Sequence, residues 1–435
     1  MRKTRPLLAA AIVGALALST AACSSNSEST ATKGVTLNYW ASNQGASLSD
    51  DKRILTPVLA EFTKQTGIKV NLEVVGWNDL LNRITTSVAS GSGPDVSNIG
   101  NTWATSLQAT KGFVPFDAAN MKAIGGASKF SQPALATGGA TGEDVTSVPI
   151  YGQAYGLFYN KKLFADAHLS PPTTYEEFTA AARTLTDPKK GVYGFGITGA
   201  SAGDNAHLAF INAAQNGAQV FASDGKPTFT SPGVVAGVQR YIDLLQDGLV
   251  NPADAEYDNT SQPATDFAKG KVAMIMSQNS ASAVIESSGM ADSAYGVVPY
   301  PAPSGGQDVS SHVAGINISV FKSTKHEKAA LEFVKFMTSS YAQGVLGKAY
   351  GNLPALKDGD PNFLKDQEIA STFISVYNTR AKPLPLVPTE DQFETTVGKA
   401  MSDLFAKVAT GSTVSEADVQ SALKAAQDQV AQSAG

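Results

Sequence analysis

From residue 35 onward, short apolar runs of extended character alternate with longer stretches of helical period. Residues 35–40 read as a strand, 51–66 as a helix stopped by Gly67, 68–75 as a second strand and 78–89 as a second helix. Gly-Ser-Gly-Pro at 91–94 breaks that helix, and 95–99 forms a third strand. The resulting β-α-β-α-β order predicts an α/β fold with an open, mostly parallel sheet flanked by helices, whose ligands sit beyond the carboxyl ends of the strands. A second such region begins after Pro149. Thr174 with Glu177 reads as a capping box for a helix over 175–185, and Ser231-Pro232 opens a helix that stops at Gly248. Residues 271–277 and 313–321 read as short buried strands, and the Gly- and Ser-rich 301–311 as a loop. Ser415 with Asp418 opens a last helix with Val419, Leu423, Ala426 and Val430 on one face.

The length of 435 residues leaves room for two or three compact units, and 43% apolar with 16% charged residues suits a folded globular chain. Thirty-three basic residues stand against 38 acidic ones. An acidic body repels the phosphates that dominate nucleic-acid and anionic-membrane binding, so both partner classes are set aside.

The N-terminus reads separately. Arg2, Lys3 and Arg5 precede 12 apolar residues, 7–18, and small residues lead to Cys23, the only cysteine. As a helix those 12 residues rise about 18 Å, too little for a hydrocarbon core of about 30 Å, so the stretch reads as an export signal. Ala-Ala-Cys resembles a bacterial lipobox in which Cys23 receives a lipid, although Thr20 replaces the usual aliphatic residue; the alternative is cleavage elsewhere with an incidental cysteine. The polar 24–33 is expected to be a flexible tether. Without its three basic residues, the mature chain would carry 30 basic residues against 38 acidic, a net −8.

Catalytic motifs are weak. Gly194, Gly196 and Gly199 fit GxGxxG without the preceding hydrophobic strand that a dinucleotide site needs. Gly199-Ala-Ser201-Ala-Gly203 fits a nucleophile elbow, with His207, His312 or His326 as the base it would require; the alternative is a small-residue loop where a helix begins. The four histidines, with His168, show no zinc spacing and are expected at the surface; no cofactor or metal is implied. Binding signals are stronger. Trp40, Trp77 and Trp103 all fall early, and Trp40 and Trp103 lie at or just after predicted strand ends. Indoles there suit stacking on a sugar's C–H face, while Ser42, Asn43, Gln44 and Asn101 offer donors and acceptors to hydroxyls; the alternative is core or rim packing.

Four segments together carry a resemblance. They are 149–166 (PIYGQAYGLFYNKKLFAD, with Tyr159-Asn160), 91–95 (GSGPD), 267–274 (FAKGKVAM) and the Pro-rich 382–388. The chain resembles the extracellular solute-binding proteins of ABC importers, in the sugar-binding group that includes maltose-binding protein. That resemblance implies a two-lobed periplasmic-binding-protein-like (type II) fold that closes on a carbohydrate and docks on a membrane permease, without catalysis and as a monomer. It implies chain crossings near 149–153, 311–315 and 353–360, one lobe of 34–150 with 314–356, and another of 151–313 with 357–435. By position, 40–44 and 101–103 match the ligand loops, and Tyr151 and Gln153 stand at the hinge. Gln278-Asn279-Ser280 and Phe393-Glu394 replace tryptophans found in relatives, which implies a second lobe poorer in aromatics and richer in amides. Asn279 is thus a candidate for hydroxyl binding. Asn317, Tyr350 and Arg380 are further candidates, Arg380 with a surface ion pair as its alternative. Other readings are a non-sugar solute (polyol, sugar phosphate or peptide) and a secreted esterase using Ser201.

Overall fold

The computed structural model describes residues 34–360 and 362–433; the export signal, Cys23 and the tether lie outside them. The strands are β1 (Thr36–Ser42), β2 (Lys69–Val75), β3 (Val96–Gly100), β4 (Val148–Gln153), β5 (Tyr155–Asn160) and β6 (Tyr193–Gly196). They continue with β7 (Val272–Gln278), β8 (Tyr295–Val298), β9 (Ser311–His312), β10 (Ala314–Val320), β11 (Leu353–Pro354) and β12 (Ala381–Lys382). One sheet runs β11-β4-β10-β3-β1-β2, a second β6-β7-β5-β8, and β12 pairs with β9.

Both larger sheets are mixed, which corrects the mostly parallel expectation. β1 pairs in parallel with β2 and β3, as the β-α-β-α-β pattern requires. β10 is antiparallel to β3 and β4, and β5 is antiparallel to β7 and β8. Only Ala154 separates β4 from β5, so the chain steps from the first sheet into the second within one residue. It re-enters the first sheet at Ala314, directly after β9 of the small two-stranded sheet. Strands that arrive across such a step carry no crossover helix to fix them parallel.

Local chemistry sets most element ends. The first helix runs Leu48–Thr66, three residues longer than its pattern, because the Ser47 hydroxyl caps it; Gly67 ends it in the left-handed region at φ 77°. Thr174 and Glu177 make the predicted capping box of Tyr175–Leu185. The last helix, Glu416–Ser433, buries the four residues assigned to its inner face. Around the first sheet the core includes Tyr39, Phe62, Val96, Ile150 and Ile318, and around the second Phe178, Phe195, Ile211, Val238 and Phe393. Each such side chain contributes about 1.5–3 kcal/mol on burial. The second core also joins helix Ala202–Gln215 to helix Glu390–Ala409.

Candidate functional site

Beyond the carboxyl ends of β1 and β3 lies a cavity of about 310 Å³, walled on its other side by Gln278 at the end of β7, the start of helix Ala202–Gln215 and Glu394. Such a volume stands at the small end of the range for ligand pockets, about 300–1,000 Å³. On the first wall Asp51 organises the loop after β1. This fully buried carboxylate accepts from the backbone N–H of Gln44 (3.2 Å) and Gly45 (3.0 Å) and from Asn43 Nδ2 (2.5 Å). Burial pushes its carboxyl above the ordinary range against the pull of those donors. Asn43 and Gln44 are thereby held at the cavity edge. Gln153 Nε2 lies 3.1 Å from Gln44 Oε1, 3.3 Å from Ser280 Oγ and 3.2 Å from Asn352 Oδ1, three acceptors for two protons at the step between sheets.

The turn after β3 supplies the aromatic part. Asn101 lines the cavity while its Nδ2 donates to Val313 O at 2.8 Å. Trp103 meets Trp77 edge-on at 5.4 Å and donates from Nε1 to Glu394 Oε2 at 2.6 Å. Glu394 Oε1 lies 3.0 Å from His207 Nε2, His207 Nδ1 lies 3.0 Å from the Tyr155 hydroxyl, and that hydroxyl donates to Asp204 Oδ1 at 2.9 Å. Burial pushes the Glu394 carboxyl up, but the hydrogen bond and charge of His207, with donors Thr102 and Trp103, outweigh it and leave the group below the ordinary range. The ring of His312 lies 4.1 Å from that of His207, and its Nδ1 is buried without a partner. Burial, reinforced by His207, pushes the His312 pKa well below the ordinary imidazole range.

Of the residues singled out from sequence, Asn43, Gln44, Asn101, Trp103 and Gln153 line this cavity, and the other six do not. Trp40 lies on the face of β1 opposite Tyr39, with Arg83 stacked 4.3 Å from its ring centroid and Phe321 edge-on. Tyr151 and Tyr350 pack against each other in the first core. Asn279 is fully buried and ties Ala154 N to Gly351 O, cross-linking the region of the step. Asn317 is buried against Thr137 and Ser147, and Arg380 pairs with Asp308 at 3.1 Å. His168 and His326 are exposed, but His207 and His312 are not, which corrects their expected surface placement: each is packed where the two walls meet. Ser201 caps helix Ala202–Gln215 through Asp204 N, and His207 directs its ring nitrogens to Glu394 and Tyr155 instead. Trp77, Asp204, His207, His312 and Glu394 were not among the binding residues expected from sequence. Asp204 and His207, three apart across the first two turns of a helix after a small-residue loop, were the readable signal.

The family model for bacterial extracellular solute-binding proteins matches residues 45–344. The chain belongs to this family. The solute-binding protein is 26% identical over 399 residues to the diacetylchitobiose binding protein DasA of Streptomyces coelicolor, covering 88% of this chain and 89% of that one. Among solved structures it is similar to an ABC transporter solute-binding protein of Thermotoga lettingae bound with α-D-tagatose, with a TM-score of 0.77, 20% identity and coverage of 92% and 100%. Another is a solute-binding protein of Agrobacterium radiobacter K84 in complex with ribitol, with a TM-score of 0.77, 24% identity and coverage of 92% and 99%. The fold is the two-domain one of these solute-binding proteins.

Proposed function

We propose that this solute-binding protein captures a carbohydrate, a mono- or oligosaccharide or a polyol, in the cavity between its two sheets and delivers it to the permease of an ABC importer. The observation that carries the reading is the make-up of the cavity: Trp77 and Trp103 beside the carboxamides of Asn43, Gln44, Asn101 and Gln153, apolar faces next to paired donors and acceptors. The names of DasA and of the tagatose- and ribitol-bound proteins support it. Residues 34–150 with 314–356, and 151–313 with 357–435, are the lobes that close on the ligand, and differential affinity for the closed form lets the ligand drive closure. Cys23 is the lipid attachment point that holds the protein at the outer face of the membrane; among the described residues no helix is long and apolar enough to cross one. Incorporation of a palmitate analogue in cells, lost in Cys23→Ser, tests the anchor.

A thermal-shift screen of the purified protein against saccharides, polyols, amino acids and peptides tests the function. A ligand at about 100 times its dissociation constant stabilises by about 2.7 kcal/mol, which such a screen reads easily. A rise with one saccharide or polyol series is the expected result. A rise with amino acids or peptides alone would overturn it.

A further inference from the structure

The charged side chains that line the cavity are Asp204, Asp258 and Glu394; no lysine or arginine is among them. Hydrogen-bond bookkeeping makes that imbalance concrete. The path Glu394–His207–Tyr155–Asp204 contains three hydrogen bonds and so needs three protons. A neutral tyrosine and a neutral imidazole supply two, and the third is a second imidazole proton or a proton on one of the acids. With either placement the four groups carry a net charge of −1, and Asp258 adds another. Apart from the proton in that path, nothing cationic among the described residues of the wall offsets these charges.

Two polar groups on this wall also lack a protein partner at one atom. Asp204 takes the Tyr155 hydroxyl on Oδ1 and offers Oδ2, which no protein donor meets among the described residues. His312 is 1% exposed and lines the cavity, with its Nδ1 lacking a partner. Both flank His207, which joins Glu394 to Tyr155 and stacks on His312. A primary ammonium brings three donors and one positive charge, enough to meet Asp204 Oδ2 and a neutral imidazole with one donor to spare, and its charge offsets that of the wall. An N-acetyl group brings one donor and a carbonyl acceptor, and a phosphate or carboxylate brings only acceptors and negative charge.

We propose that the cleft selects saccharides carrying a protonated amine over their neutral and anionic counterparts, with Glu394 and Asp204 as the selecting groups. The proposal rests on the saccharide reading above. A wall of one charge sign discriminates by repulsion as much as by attraction, so sugar phosphates and uronic acids are the solutes it rejects.

Calorimetric titration at about pH 6, where a primary amine is ionised, tests it with glucosamine, N-acetylglucosamine, glucosamine 6-phosphate, diacetylchitobiose and its fully deacetylated counterpart. The amine-bearing members are expected to bind at least about tenfold more tightly than their acetylated partners, with the phosphate weakest. The gap, read within each variant as the ratio of amine to acetylated affinity because both residues also hold the cleft together, should shrink below about threefold in Glu394→Gln and in Asp204→Asn, with the urea-unfolding midpoint as the check that each variant is folded. Raising the pH to about 9.5 deprotonates the amine and should close the gap in the unaltered protein, a test that needs no variant. Acetylated sugars binding as tightly as the amines, or a gap that survives both variants, would overturn the proposal. Binding of tagatose, ribitol or diacetylchitobiose without any aminated sugar would leave the carbohydrate function standing and remove this inference alone. No binding by any saccharide would remove both.

Discussion

Trp103 and Glu394, 291 residues apart, are joined by a 2.6 Å hydrogen bond from the indole Nε1 to the carboxylate Oε2. The donor follows β3 of the first sheet, and the acceptor stands in the first turns of helix Glu390–Ala409, which packs with the second. The bond therefore spans the cavity, from the wall built on the first sheet to the wall built on the second.

Trp103→Phe keeps a ring against Trp77 and deletes only the donor. A hydrogen bond to a charged group contributes about 1.5–3 kcal/mol, and if the lobes close on the ligand as proposed above, a bond made between them on closure passes that loss on to ligand affinity. Calorimetry with a saccharide found by the screen should show roughly ten- to a hundredfold weaker binding. A dissociation constant within about twofold of the parent would mean that closure does not use this bond.

Trp40→Ala should behave in the opposite way. Its ring lies under Arg83, which also pairs with Glu73 at 2.7 Å, outside the cavity. Losing the cation–π contact and part of a half-buried ring should lower the unfolding free energy by about 1–2 kcal/mol in urea titration. Ligand affinity should stay within about twofold. A tenfold loss of affinity would return Trp40 to the binding site.

The different fates of Trp40 and Trp103 show what the sequence could convey. Strand and helix periods located most elements, since burial of one face writes itself into a local pattern. The amide loops after β1 and β3 were legible for the same reason: they follow strands whose ends are marked. Trp40 was misplaced because β1 continues to Ser42, which leaves the indole within the strand and on the face toward Arg83. Nothing local records that His207 meets Glu394, because that contact depends on how two helices far apart in the chain cross.

Glu390, one helical turn before Glu394, is 1% exposed, and neither of its carboxyl oxygens has a partner. Burial, then the charges of Glu394 and Asp391, push its carboxyl well above the ordinary 4.5. A group raised on folding supports the fold below its unfolded pKa and loses that contribution as pH rises. His312 has the opposite sign: its pKa falls on folding, so its contribution is lost as pH drops below the unfolded value of 6.5. Between those two values the slopes oppose each other in the parent. Glu390→Gln removes one of them, so the variant should gain stability over the parent above about pH 4.5, by at most about 1.4 kcal/mol per pH unit. Urea unfolding at several pH values checks this. A gain that does not change with pH would show that Glu390 folds in its ionised form.

Gly398 and Gly344 form a pair that separates helix propensity from packing. Both lie inside helices, Glu390–Ala409 and Ser340–Tyr350, where alanine is favoured over glycine by about 1 kcal/mol when nothing else intervenes. At Gly344 a Cβ meets nothing within 4 Å, so Gly344→Ala should stabilise by about 0.5–1 kcal/mol. At Gly398 the same methyl group would run into the carbonyl and Cα of Ala202, backbone atoms that cannot turn aside. Overpacking of this kind costs about 1–3 kcal/mol and outweighs the propensity gain. Ala202 is the first residue of the helix that carries Asp204 and His207, and Gly398 follows Glu394 by one turn. Forcing these helices apart should therefore lengthen the 3.0 Å His207–Glu394 contact and weaken ligand binding as well as stability. Gly398→Ala with parental affinity would separate the site from the helix crossing beneath it.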